Sequence, residues 1–71
     1  MAAKTDFQKV AICKTELGTT YGNIYTNNGW FAYYMCGSSR PEFKGTLSKV
    51  ENYVRSDWNL EIKRMAKFRN K

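Results

Sequence analysis

Hydrophobic and polar positions are most clearly patterned in the middle of the chain. Residues 19–27, TTYGNIYTN, carry Thr, Tyr and Ile, which suit a pleated, half-buried surface, with Gly22 as a candidate bulge. The following Asn28-Gly29 tolerates positive φ and predicts a tight hairpin turn. Residues 30–36, WFAYYMC, return as the second strand, and 42–44, EFK, add a short third strand after the GSSRP loop. The period then changes. Leu47, Val50, Tyr53 and Val54 recur at helical spacing through about residue 55. Thr46 or Ser48 supplies the cap, and Ser48 with Glu51 fits a capping box. The expected fold class is α+β: one small domain, a three-stranded antiparallel sheet (strands near 19–27, 30–36 and 42–44) packed by a helix near 46–55.

The two ends are ambiguous. In residues 5–17, TDFQKVAICKTEL, Thr5 and Gln8 fit a capping box, and Phe7, Val10, Ala11 and Leu17 sit near one helical face with Gly18 as the residue after the helix. Partial alternation places Val10 and Ile12 on one side of a strand instead; the balance favours a helix. In residues 57–71, Trp58, Leu60 and Ile62 alternate as in a strand, whereas Trp58, Ile62, Met65 and Phe68 also fit a helical face.

Four of the six residues from Gly29 to Tyr34 are aromatic, so the second strand carries rings on both faces. Phe31, Tyr33 and Met35 form the more apolar set and are expected under the helix. Trp30, Ala32 and Tyr34 face the other way. A two-residue turn pairs Tyr25 with Ala32 and gathers Tyr21, Tyr25, Trp30 and Tyr34 on that opposite face. Tyr and Trp tolerate a half-wet surface. Two readings compete for this face: a contact platform on which unpaired bases stack, or a surface covered by the C-terminal segment through Trp58, Leu60, Ile62 and Phe68.

Charge alters this picture. Twelve Lys and Arg stand against six Asp and Glu, a net charge of +6, with no His. Residues 46–71 hold seven basic and three acidic groups, so positive charge collects toward the C-terminal end. A clustered basic stripe is the footprint of a polyanion partner. The basic C-terminal segment 63–71, KRMAKFRNK, has five basic residues and no acidic one. On a helix, Lys63, Lys67 and Lys71 would form a stripe with Arg64 beside it, and Arg69 adds charge. Arg40 and Lys44 flank PEF and could join Lys14 or Arg55 in a basic rim. The candidate partner-binding residues are therefore Tyr25, Trp30, Tyr34, Arg40, Lys44, Lys63, Arg64, Lys67 and Arg69. Asn27 and Asn28 can also pair with base edges, although the turn accounts for them.

Composition narrows the chemistry. Two cysteines, Cys13 and Cys36, and no His give too few ligands for a structural zinc site, and no cofactor motif is present. The cysteines are expected reduced, with a single bridge as the alternative. The six acidic residues are spread along the chain and form no local carboxylate set, so no catalytic activity is expected. No apolar run approaches the ~20 residues of a membrane helix. The opening MAAKTDFQKV lacks an apolar signal core, and an intracellular, cytoplasmic protein without a membrane partner is expected.

The segments IYTNNGWFAYYM and PEFKGTLSKVENYV resemble the three-stranded sheet plus helix of arm-type DNA-binding domains in phage and transposon tyrosine recombinases. The resemblance covers about residues 21–55, with Phe43, Gly45, Thr46, Val50 and Tyr53 at matching places. It implies DNA binding through the exposed sheet face, here Tyr25, Asn27, Trp30 and Tyr34. In style the chain also resembles small phage-encoded accessory proteins, among them anti-CRISPR proteins. That implies an inhibitor or adaptor acting in a bacterial host cell on a host protein that handles nucleic acid, or on a defence complex. The sequence thus carries two functional expectations: a nucleic-acid-binding protein, with DNA favoured, and a protein-binding inhibitor using the same aromatic face.

Overall fold

The computed structural model describes residues 8–27 and 29–69, with Arg69 contributing backbone only. The chain runs through β1 (Gln8–Lys14), β2 (Thr20–Thr26), β3 (Phe31–Met35), β4 (Phe43–Gly45), α1 (Leu47–Asp57), β5 (Glu61–Arg64) and a short α2 (Ala66–Arg69). One antiparallel sheet of order β4-β3-β2-β1-β5 carries α1 on one face. The α+β class holds, but the sheet has five strands where three were expected.

The additional strands come from the ambiguous ends. Residues 8–14 are a strand, not a helix, because β2 and β5 both pair with β1 and satisfy its backbone on either side. Gln8 is therefore a strand residue, and Gly18 belongs to the turn into β2, where its N–H bonds to Thr15 O at 2.9 Å. Thr5 and Phe7 lie outside the described residues. A register shift between Lys9 and Ala11 inserts Val10 as an extra residue, so Val10 and Ala11 are both fully buried and Ile12 turns to the other face. After α1, Asn59 takes a left-handed backbone (φ 54°) and returns the chain as β5 against β1. The two readings of 57–71 thus divide: a strand to Arg64, then one helical turn.

The hairpin between β2 and β3 follows the Asn-Gly signal. Asn27 N–H donates to Trp30 O at 3.2 Å, and Gly29 adopts φ 105°, which favours glycine. Tyr25 pairs with Ala32 as expected. Helix α1 is capped by Thr46, whose hydroxyl accepts from Lys49 N–H at 3.3 Å. The alternative box from Ser48 to Glu51 does not form, because the Glu51 carboxylate turns to Arg64.

The core lies between α1 and one sheet face. Val10, Ala11, Cys13, Ile24, Tyr33, Val50 and Val54 are fully buried, with Phe31 and Met35 packed against them. Tyr33 sits 5.6 Å from Trp58 between ring centroids, and Phe43 stacks on Tyr53 at 4.5 Å. Gly22 is needed beneath Tyr33: a Cβ there would meet the ring at 2.7 Å and its hydroxyl at 2.8 Å. Trp58, Leu60, Ile62 and Phe68 all join this core, so the C-terminal segment covers the helix side and not the opposite face. Among the described residues no helix is long and apolar enough to cross a membrane.

Candidate functional site

Strand register defines the second face of the sheet, since directly paired residues point the same way. One row runs Lys9, Tyr25, Ala32, Lys44 across β1 to β4. The next runs Lys63, Ile12, Asn23, Tyr34 across β5, β1, β2 and β3. Lys14 pairs with Glu61 in the row beyond. Lys9, Lys14, Lys44 and Lys63 thus surround a patch of Tyr25, Tyr34 and Asn23, with Glu61 the acidic residue at the paired positions of this face. Among the described residues no helix packs on it.

The rings are held by their neighbours. Tyr25 and Tyr34 meet edge to face, with centroids 5.6 Å apart and planes at 82°. The Lys44 ammonium sits 5.0 Å from the centre of the Trp30 ring, a cation–π placement that fixes charge and aromatic surface together. Tyr25, Trp30 and Tyr34 are half-buried, and Ala32, the smallest residue of this face, is fully buried beside Tyr25 and Lys44. A shallow cleft of about 570 Å³ opens beside the two tyrosines, bounded by Asn23, Cys36 and Ser38.

The predicted site residues separate into groups. Tyr25, Trp30, Tyr34, Lys44 and Lys63 lie at this face. Arg40 is exposed in the loop between β3 and β4. Lys67 is exposed on α2, where its ammonium donates to Gln8 Oε1 at 3.4 Å. The Arg69 side chain and Lys71 lie outside the described residues.

Arg64 must be reassigned. Lys63 and Arg64 are consecutive on a strand, so they point to opposite faces and form no helical stripe with Lys67. Arg64 donates from Nε and Nη2 to the two oxygens of Glu51 at 2.8 and 2.9 Å, a bidentate pair on the helix side. Those bonds hold the guanidinium above its usual pKa. Glu51 is nearly buried, and Arg55 approaches it at 3.9 Å, so Arg55 also belongs to this ion pair and not to a basic rim.

Tyr21 does not join Tyr25. A second register shift, between Cys13 and Lys14, makes it an extra residue of β2, and it lines a separate cleft with Leu17, Trp58 and Leu60. Lys9, Ile12 and Asn23 were absent from the expected site. The partial alternation in FQKVAICK was the signal that could have found the first two.

Both cysteines are free thiols, Cys13 buried and Cys36 exposed. Burial, then the nearby Glu51 charge, pushes Cys13 up to about 12, which keeps it protonated and unreactive. Burial likewise pushes the Tyr33 hydroxyl up to about 12, with Cys13 the next cause. Among the described residues no group of His, Cys, Asp and Glu could hold a metal ion. Comparison with protein-family models, curated proteins and solved structures finds no match for this chain.

Proposed function

We propose that this chain is a small, non-enzymatic nucleic-acid-binding protein whose contact surface is the sheet face opposite α1. The observation that carries the reading is the convergence of Lys9, Lys14, Lys44 and Lys63 around Tyr25, Trp30 and Tyr34 on that face. Lysines at the margin suit phosphates, and releasing condensed counterions drives binding without sequence readout. The rings supply base contacts, each worth ~1–3 kcal/mol when a base stacks on it. The resemblance of residues 21–55 to recombinase arm domains favours DNA as the polymer.

Fluorescence anisotropy of labelled DNA and RNA at two salt concentrations tests this reading. Binding should weaken steeply with salt, and the triple variant Lys9→Glu, Lys44→Glu, Lys63→Glu should lose it while remaining folded. A folded wild-type protein that binds neither polymer at low salt would refute the proposal.

A protein-binding inhibitor or adaptor is the second reading. It draws support from Leu17, which is 92% exposed at a turn beside the half-exposed Tyr21, an apolar pair suited to a protein contact. A protein partner lost on Tyr34→Ala would place the contact on the aromatic face, and one lost on Leu17→Ser would place it at this separate turn; either result would favour this reading.

A further inference from the structure

Resting on the nucleic-acid reading, we infer that the occupant of the open sheet face is a single strand with unpaired bases, not a duplex. Sheet width decides this. Neighbouring strands lie about 4.8 Å apart, so the four intervals of a five-stranded sheet span about 19 Å. The major groove of B-form DNA is about 12 Å wide and admits a helix or a two-stranded ribbon. A three-stranded sheet comes near that limit. Here β1 and β5 widen the face well beyond it, so the face as a whole does not fit within the groove. Against the outside of a duplex it would meet phosphates alone, and its rings would have no base to contact.

The rings lie where an unpaired strand would use them. The residues of the patch are central: Tyr25 is on β2 and Tyr34 on β3, with lysines on β1, β4 and β5 around them. This arrangement places phosphates at the margin and bases at the middle. Because the two tyrosine planes stand at 82°, they cannot both stack on one base; one ring offers its face and the other buttresses it. The adjacent cleft has room for that base, and the Asn23 amide at its wall offers both a donor and an acceptor to a base edge. Lys44, 5.0 Å from the centre of the Trp30 ring, carries a phosphate-binding charge next to a second aromatic surface. The occupant is therefore a short single strand crossing the sheet, with one base at the tyrosine pair.

The test compares a labelled single strand of about 16 nucleotides, long enough to span the site of a small single-strand-binding domain, with its duplex in the same low-salt buffer. The single strand should bind at least tenfold more tightly. Tyr34→Leu and, separately, Tyr25→Leu, each verified as folded by circular dichroism, should weaken single-strand binding, the ring facing the base by about tenfold, while Tyr34→Phe retains it. Equal or tighter duplex binding, or wild-type affinity in both leucine variants, would overturn the single-strand assignment and leave the polyanion reading standing. Failure of wild-type protein to bind either form would instead overturn the nucleic-acid reading on which the assignment rests.

Discussion

Lys63 and Arg64 are adjacent basic residues with opposite predicted consequences. Removing the Arg64 guanidinium by Arg64→Met strips two charge-assisted bonds of 2.8 and 2.9 Å from Glu51, whose side chain is 6% exposed. Breaking a fully buried pair from one side costs about 3–5 kcal/mol, because the remaining charge is left without its partner. Arg64 itself is 32% exposed, so water partly screens the pair, and Arg55 at 3.9 Å replaces part of the lost field. Exposed pairs contribute only about 0–1 kcal/mol, and the intermediate setting places the loss near 2 kcal/mol. For a domain of this size that lowers Tm by roughly 10 °C. Lys63→Met should change Tm by no more than a few degrees, since its side chain stands on the open face. Thermal melts followed by circular dichroism, with urea titrations at fixed temperature, measure both. Equal stability of Arg64→Met and wild type would refute the structural role assigned to this arginine and return it to the candidate binding set.

The buried residues and the two thiols yield four further predictions. Tyr33 Oη is buried with no hydrogen-bond partner among the described residues, so Tyr33→Phe should leave stability unchanged or raise it by up to about 1 kcal/mol; a loss in urea titration would mean the hydroxyl has a partner. Gly22→Ala forces a methyl group into the Tyr33 ring and the Tyr34 carbonyl and should cost about 3 kcal/mol, read as a lowered urea midpoint. Cys13 and Tyr33 rise from 9.0 and 10.0 to about 12 on folding. The unfolded chain therefore releases these protons first as pH rises, and stability should fall from about pH 9 toward 12. Urea titrations should show this fall, reduced in Tyr33→Phe. A thiol reagent at neutral pH should label Cys36 alone until the protein unfolds.

The hairpin and α1 were legible because their signals are local. Asn28-Gly29 specifies its turn, Leu47 to Val54 repeat at helical spacing, and the alternation of Phe31, Tyr33 and Met35 against Ala32 and Tyr34 assigned both sheet faces. The first strand was hidden by its own irregularity. The extra residue at Val10 puts two consecutive apolar side chains on one face and breaks the two-residue period, which imitates a helical stripe. The four residues of β5 are too few to establish any period, and both readings turned Trp58 and Ile62 inward. Missing β1 and β5 concealed Lys9 and Ile12, and with them the width of the face. Arg64 was misplaced for a related reason. Its partner Glu51 lies thirteen residues away in another element, and no local pattern links the two.

The central claim is that the face opposite α1 is the contact surface for nucleic acid. An amide chemical-shift titration of the labelled protein with a short single-stranded oligonucleotide tests it most directly. The predicted result is a set of perturbed amides at Lys9, Asn23, Tyr25, Tyr34, Lys44 and Lys63, with the exposed helix residues Lys49, Asn52 and Ser56 unmoved. Saturable perturbations confined to Lys49, Asn52 and Ser56, with those six amides unchanged, would contradict it.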